Sequence, residues 1–481
     1  MEKSTMIGRK REKEVLDYCL STPKSEFIAI LGRRRVGKTF LVHEVYGDKL
    51  CFKMTGVYRA TKVRQLEMFC IAFERYFGIT VKRKPRRWMD AFQLLESALR
   101  EMPKPDCGKR VLFFDELPWL YSPKGDLLSA LEHFWNSYAA WSKDLVLVVC
   151  GSATSWMIDN VVKNHGGLHN RITRRIELQP FTLREAEEFL ASRNIRWSRY
   201  QIAECYMMMG GIPYYLDNIP GNGETPAMAI DDMYFAKGGV LHSEYDDLFE
   251  SLYRHPEPYV ALIETLAGSR HGYARKELIS RASIEDNGHV GDYLNALEAC
   301  GFVRSYAMFG NKSKATVYQL IDPFVIFHLN FRHMQQSHAR NVWQAMTDNT
   351  AKRNWQGHAF ELLCLLHTEQ ILDALRIGGV LSVLTSWRTS GTESYDGAEV
   401  DLVIDRRDQV INLCESKFSI NEYAITDKYE AELRNKLAAF RHSTGTRKAL
   451  QLTMITTFGL HRNEHCGIVT SELTLADLFT K

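Results

Sequence analysis

No apolar run in the 481-residue sequence reaches the ~18 residues that a membrane-crossing helix needs. The opening segment, Met1 to Leu16, is charged and has none of the apolar stretch of a signal peptide. A cytoplasmic protein with no membrane partner is therefore the expectation. The ten cysteines form no Cys-x-x-Cys pair, which argues against zinc ribbons and dithiol redox motifs. Cys150, Cys364 and Cys414 fall inside apolar runs, where a reduced core thiol is expected. The stretch His461 to Cys466 (HRNEHC) reads as a turn with two exposed histidines rather than a metal cluster. A net charge of +3 neither points to nucleic acid nor excludes it, because local patches decide. With 45% hydrophobic and 25% charged residues, the composition is that of a packed soluble protein. It excludes a disordered chain, a collagen-like fibre and a small disulfide scaffold. The length suggests about three or four domains.

The first informative pattern begins at Glu26–Leu31 (EFIAIL), a short apolar run between Pro23 and Gly32 that reads as a buried strand. Gly32, Arg33, Arg34, Arg35, Val36, Gly37, Lys38 and Thr39 follow and fit GxxxxGK[ST]. A helical pattern then starts at Phe40, which closes the expected nucleotide-binding stretch. Strand, glycine loop and helix in that order give the motif its required context. The two glycines let backbone N–H groups curl toward phosphate oxygens, and the helix start adds its dipole. Lys38 is expected to reach the β- and γ-phosphates of ATP, and the Thr39 hydroxyl to ligate Mg²⁺. A second apolar strand, Val111–Phe114, ends in Asp115 and Glu116. Asp115 then sits where ligands bind in open α/β sheets and would hold Mg²⁺ through water. Glu116 would act as general base on the attacking water. A third strand, Leu145–Cys150, leads into Gly151, Ser152 and Thr154. Ser152 first, and Thr154 second, can touch the γ-phosphate or the lytic water.

These pieces, with Ile7-Gly8-Arg9, Phe114 to Leu120 (FDELPWL), Cys150-Gly151-Ser152 and Gly210 to Leu216 (GGIPYYL), make the chain resemble the archaeal-type AAA+ ATPases. These are relatives of the STAND signalling ATPases (an MNS-like clade) that often carry a C-terminal domain of unknown function. The resemblance implies an α/β fold: a P-loop AAA+ core at 1–180, a helical lid at 181–240, and further modules beyond. It places Ile7 and Gly8 near the adenine, and Pro213, in its Gly-Gly-x-Pro stretch, in the lid over the nucleotide. The same glycines also read as a helix stop and turn. It assigns Arg171 to the γ-phosphate, within the subunit or from a neighbour in a homo-oligomer. Arg171, Arg174 and Arg175 equally read as a solvated strand start. The basic run Lys82 to Arg87 with Trp88 can grip a phosphate backbone and stack on a base, or form a solvated loop whose aromatic anchors the next helix.

Residues 241–335 read as a winged-helix domain. Helices are expected over 258–267, 275–282 and 289–300, then strands over 302–308 and 315–321 around a basic turn. Arg304, Lys312 and Lys314 can reach DNA phosphates. The third helix, with Asp292, Tyr293, Asn295 and Glu298, has no Arg or Lys to read guanine. DNA binding and a structural role both remain open. Residues 345–481 read helix, three strands, helix, strand. In them Asp401, then Glu415-Ser-Lys417, resembles the PD-(D/E)xK nuclease fold, an α/β restriction-endonuclease-like domain. Glu415 and Lys417 stand two apart on one strand and share a side. Asp401 and Glu415 are hard oxygen ligands for Mg²⁺ or Mn²⁺, Glu361 matches the fold's frequent extra acid, and Lys417 orients the water. A nuclease-derived domain kept for binding, or an ordinary sheet, is the alternative. The combined expectation is an ATP-hydrolysing protein that acts on DNA through this domain, or a nucleotide-gated switch that binds without cleaving.

Overall fold

β-Branched and large apolar side chains carry Glu26–Leu31 into strand β1 of the computed structural model, with all six residues buried. The structure describes residues 6–105, 108–163, 168, 170–221, 223–310, 316–335, 341–347 and 349–480. Cys107, His169, Lys312 and Lys314 lie outside them. The chain divides into two compact units. One comprises Met1–Gln179, Leu248–Pro256 and Asn295–Cys300, and the other Pro180–Asp247, Glu257–Leu294 and Gly301–Lys481.

In the first unit, β1 joins β2 (Leu50–Thr55), β3 (Arg110–Asp115), β4 (Leu145–Cys150) and β5 (Arg174–Glu177) in a parallel sheet of order β2-β3-β4-β1-β5. A parallel sheet is covered on both faces, so its central strands are continuous apolar runs rather than alternating ones. That is why RVLFFD and LVLVVC are buried from end to end. The register aligns Ile30 with Cys150 and Thr55 with Asp115, so the strands present their C-terminal ends along one crest. Trp88 opens the helix Trp88–Glu101 fully buried, edge-on to Phe69 at 6.4 Å. It therefore anchors the helix beneath an exposed basic loop, and the base-stacking reading of Trp88 is corrected.

The second unit begins with the helix Leu183–Ser192, capped by a reciprocal box of Thr182 and Glu185. The helices Arg199–Met209 and Pro213–Asp217 follow. Between them the backbone of Gly211 meets Phe181: the Phe181 N–H donates to the Gly211 carbonyl at 2.6 Å, and a Cβ on Gly211 would stand 1.9 Å from the Phe181 carbonyl oxygen. The helices Glu257–Ala267 and Arg275–Arg281 flank β6 (Tyr273–Ala274). The helix His289–Ala299 comes next in sequence. β7 (Val303–Ala307) and β8 (Thr316–Leu320) complete an antiparallel sheet of order β6-β8-β7. Arg304 is half-buried rather than extended to solvent. Its Nε donates to Gln319 Oε1 at 2.6 Å and its guanidinium lies 4.5 Å from the Tyr306 ring. Burial lowers it to about 10. The expectation that it reaches phosphates is corrected on that ground.

The C-terminal part of this unit consists of the helix Thr350–Leu366, then β9 (Ser382–Thr389), β10 (Ala398–Arg406) and β11 (Val410–Lys417). β12 (Tyr423–Ala424), the helix Asp427–Thr444, β13 (Ala449–Thr456), β14 (Leu460–His461) and β15 (Ser471–Thr474) follow. The main sheet has order β15-β13-β11-β10-β9, antiparallel from β9 to β11 and parallel from β11 to β15. Trp387, Val403, Leu413 and Phe440 pack one face. β9 runs along the edge of this sheet. A bulge between Val400 and Val403 breaks its ladder with β10 at Asp401.

Candidate nucleotide site and a second acid cluster

The loop after β1 has the backbone its glycines predict. Gly32 has φ +140° and Gly37 +92°, and a Cβ on Gly32 would stand 2.5 Å from the Leu178 carbonyl oxygen. Arg35 takes a positive φ of 72° without being glycine. Gly37 precedes the helix Lys38–Tyr46, whose first turn points its N–H groups at the loop. Lys38 is buried, and its Nζ donates to the carbonyls of Gly32 at 2.8 Å and Arg33 at 2.9 Å. Those bonds pull the loop into a ring around the ammonium. Val36 is buried, Arg34 and Arg35 are half-buried, and Phe40 is exposed on the helix.

Three strand ends converge beside the loop. The Thr39 hydroxyl donates to Asp115, with Oδ1 at 3.1 Å and Oδ2 at 3.0 Å. The Cys150 thiol donates to the same Oδ1 at 2.8 Å. Burial, then the Asp115 charge, raises that thiol well above its usual range, so it stays protonated and a donor. Glu116 leaves β3 with φ +48°. Its Oε2 accepts from the Ser152 N–H at 3.0 Å and the Ser152 hydroxyl at 2.9 Å. The two acids are thus handled separately: one faces the loop threonine, the other is held by the third strand end. Thr154 instead bonds back to the Ser152 carbonyl at 3.4 Å. Arg9, which sequence reasoning used only as part of a motif, is buried and donates to the Val36 carbonyl at 3.2 Å. This bond ties the Ile7-Gly8 segment to the loop.

The second unit holds another acid cluster. Leu402 pairs with Cys414, so Asp401 and Glu415 stand one step along, at neighbouring positions across β10 and β11. Glu415 and Lys417 both meet Tyr429: its hydroxyl donates to Glu415 Oε2 at 3.3 Å, and the Lys417 ammonium lies 4.8 Å from its ring centre. Lys436 donates to Glu415 Oε1 at 2.6 Å. His271 bridges Asp401, at 3.4 Å from Nδ1, and Glu399, at 2.9 Å from Nε2. Arg270 lies 3.4 Å from Glu399 and 3.9 Å from Glu361, and His358 lies 3.3 Å from Glu361. Enclosure, then the neighbouring Glu361, Glu415 and Glu399 charges, raises Asp401 to about 6 against the opposing pull of His271. Its side chain is still 40% exposed. That exposure opens into a cavity of about 380 Å³ whose walls include Arg270, Arg304, Phe331, Trp355 and Glu361, so the crowding of acids acts in a partly screened setting. The hydrogen bond from His271 holds Glu399 down at about 2.

Among the described residues, no group of three or more His, Cys, Asp or Glu side chains is placed to hold a metal ion. The acids of this cluster are each engaged by a protein cation instead, and as placed they do not fit a divalent ion. Lys436, Tyr429, Arg270 and His271 were missed by sequence reasoning. In the HRNEHC stretch, His461 is exposed, whereas His465 is largely covered and pairs with Glu430 at 2.7 Å. Cys150, Cys364 and Cys414 are buried thiols.

Residues 7–219 match a family described as an ATPase domain predominantly from Archaea. This segment is an archaeal-type P-loop ATPase domain. The uncharacterized protein MJECL04 of Methanocaldococcus jannaschii is 23% identical over 328 residues, covering 68% of each chain. Among solved structures, the Walker-type ATPase PABY2304 of Pyrococcus abyssi is 19% identical, with a TM-score of 0.48 over 67% of this chain and 96% of that one. The Aeropyrum pernix ORC2 protein, in ADPNP–ADP complexes, is 16% identical, with a TM-score of 0.40 over 69% and 96%. In the ATPase domain, Ile7 and Gly8 lead directly into Arg9, and Arg171 lies exposed in the turn before β5, its N–H donating to Leu168 at 3.0 Å. Arg175 pairs with Glu177, and Arg174 lies over the Tyr18 ring at 5.6 Å. Pro213 starts its short helix, where its missing N–H costs nothing. No helix among the described residues is long and apolar enough to cross a membrane.

Proposed function

We propose that this chain hydrolyses ATP with Lys38, Thr39, Asp115, Glu116 and Ser152, and that its C-terminal sheet is a nuclease-like module directed at DNA. The contact of Thr39 with both oxygens of Asp115, beside the lysine-filled glycine loop, carries the first part. A hydroxyl and a carboxylate this close are hard oxygen donors of the kind Mg²⁺ takes with waters, so the pair fits the ion. Thr39 and Asp115 would hold it, and when bound with nucleotide it offsets charge on the β- and γ-phosphates. The loop N–H groups bind phosphate oxygens. Lys38 turns its ammonium from loop carbonyls to the phosphates. Ser152 fixes one oxygen of Glu116 and leaves the other to take the proton of the attacking water. Arg171 supplies a further cation to the γ-phosphate, from the same chain or from a second copy.

For the second part, the strand order β13-β11-β10-β9, with Asp401, Glu415 and Lys417 grouped on β10 and β11, supports the nuclease-like reading. The helices, β6 and the β7–β8 pair before it are read as a winged helix, without base reading by its third helix. The acids as placed do not converge on an ion. The same ion pairs favour the second reading, a nucleotide-gated switch that binds nucleic acid or a partner without cutting.

Plasmid incubated with the full chain and Mg²⁺, with and without ATP, separates the two. Nicking by the wild type that is lost in Lys417→Ala supports the nuclease. Identical patterns from both leave only the switch. For the ATPase, Glu116→Gln is expected to bind ATP without turning it over, and undiminished turnover removes Glu116 from the role of base.

A further inference from the structure

Residues 78–87 join the helix Lys62–Phe77 to the helix Trp88–Glu101 within the first unit. Lys82, Arg83, Lys84, Arg86 and Arg87 crowd this loop, and all five are exposed. Three acids nearby are engaged by backbone. Glu74 accepts from the Val81 N–H at 2.9 Å. Asp90 accepts from the Arg87 N–H at 3.2 Å, and Asp126 from the N–H groups of Trp88 and Met89, both at 3.1 Å. These bonds, with the buried Trp88 indole, fix both ends of the loop.

The charge of the loop is left largely uncompensated. Arg87 pairs with Asp90 at 3.1 Å. Among the described residues, no carboxylate pairs with Lys82, Arg83, Lys84 or Arg86. Elsewhere, exposed helix arginines meet a glutamate one turn away, as Arg100 meets Glu96, Arg281 meets Glu277 and Arg434 meets Glu430. The whole chain carries a net charge of only +3, so these four cations are a local concentration and not a general excess. Anchored at both ends, the loop presents them without first having to be ordered by a partner.

We propose that this loop docks the phosphodiester backbone of a double-stranded nucleic acid and grips it without regard to sequence. A row of phosphates supplies closely repeated anions, and each contact releases condensed counterions. The contact is to the backbone alone, because Trp88 lies buried and offers no ring to a base. No apolar side chain of residues 82–87 is exposed, so the run lacks the inserted groups with which surface-lying elements hold a lipid bilayer. The contact belongs to the ATPase unit and does not depend on the acids of the C-terminal sheet.

The test is the fluorescence anisotropy of a labelled duplex titrated with the full chain, without nucleotide or Mg²⁺, over a series of salt concentrations. The variant Lys82→Gln/Arg83→Gln/Lys84→Gln/Arg86→Gln removes the four unpaired charges and keeps the Arg87–Asp90 pair. Each neutralised phosphate contributes about 0.9 to the slope of log affinity against log salt, so the slope should shrink by about 3.6. Between about 50 and 200 mM salt the wild type should then lose about 150-fold more affinity than the variant. Lys82→Gln/Arg83→Gln alone should shrink the slope by about 1.8, and serves if the fuller variant folds poorly. Duplexes of unrelated sequence should behave alike. DNA and RNA duplexes run in parallel tell which backbone is held, and a shrunken slope with either bears the proposal out. Equal slopes and affinities in wild type and variants, or no duplex binding by the wild type, would overturn it. So would binding to phosphatidylserine vesicles that the variant loses while its duplex binding is unchanged.

Discussion

Replacing Ser152 with alanine tests how Glu116, the proposed general base, is held. The Ser152 hydroxyl and N–H converge on one oxygen of Glu116, at 2.9 and 3.0 Å. A hydrogen bond to a charged acceptor contributes about 1.5–3 kcal/mol. The backbone bond survives the substitution, so the loss belongs at the low end of that range. About 1.4 kcal/mol is a factor of ten in rate. Ser152→Ala should therefore lower kcat about tenfold, by the same correspondence. Nucleotide affinity should stay within twofold, because Ser152 bonds the base and not the phosphate loop. Steady-state phosphate release together with a fluorescent-nucleotide titration separates the two quantities. Turnover that is unchanged or faster would refute the positioning role and make the bond a restraint on Glu116. A loss of affinity as large as the loss of rate would place Ser152 on the nucleotide itself.

Two buried histidines predict a pH dependence of stability. His367 accepts from the Leu183 N–H at 3.0 Å and donates to the Leu363 carbonyl at 2.9 Å, which fixes the neutral Nδ1–H tautomer. His328 stacks on Tyr245 at 4.2 Å. Burial lowers both to about 4, with Arg332 adding to the effect on His328. The unfolded chain binds these protons near pH 6.5, so stability is complete above that and falls as pH drops toward 4, by on the order of 3 kcal/mol for each fully expressed shift. Denaturant midpoints that stay flat from pH 6.5 to about 4.5 would contradict this. Gly211→Ala forces a Cβ into the Phe181 carbonyl and should cost at least about 2 kcal/mol, seen as a lowered melting temperature; an unchanged one refutes the close approach. If Arg171 acts between copies, turnover per chain rises with protein concentration and Arg171→Ala abolishes the rise. A flat dependence with a monomer throughout removes the idea.

The geometry of the candidate nucleotide site was legible because its pattern is local. Eight consecutive residues dictate the loop, and Asp115 and Glu116 announce themselves by ending an apolar run. What Glu116 touches was less legible, since Ser152 reaches it only through the order in which β1, β3 and β4 assemble. In the second unit, periodicity located β10, β11 and the helix Asp427–Thr444. The partners of the acids were invisible, because Arg270 and His271 come from a distant part of the chain, before the helix Thr350–Leu366 and the strands β9 to β11. β6 escaped because two residues carry no periodicity. Trp88 and Arg304 misled for one reason: a basic or aromatic residue in a polar stretch looks exposed, and only packing shows the indole under the loop and the guanidinium against Tyr306.

The central claim is that the loop from Gly32 to Thr39 binds a triphosphate for hydrolysis. Phosphate release from ATP by the purified full chain, measured beside Lys38→Ala at matched concentration with Mg²⁺ present, tests it most directly. The account predicts steady release by the wild type, abolished in the variant. No release by the wild type, or equal release by both, would contradict it.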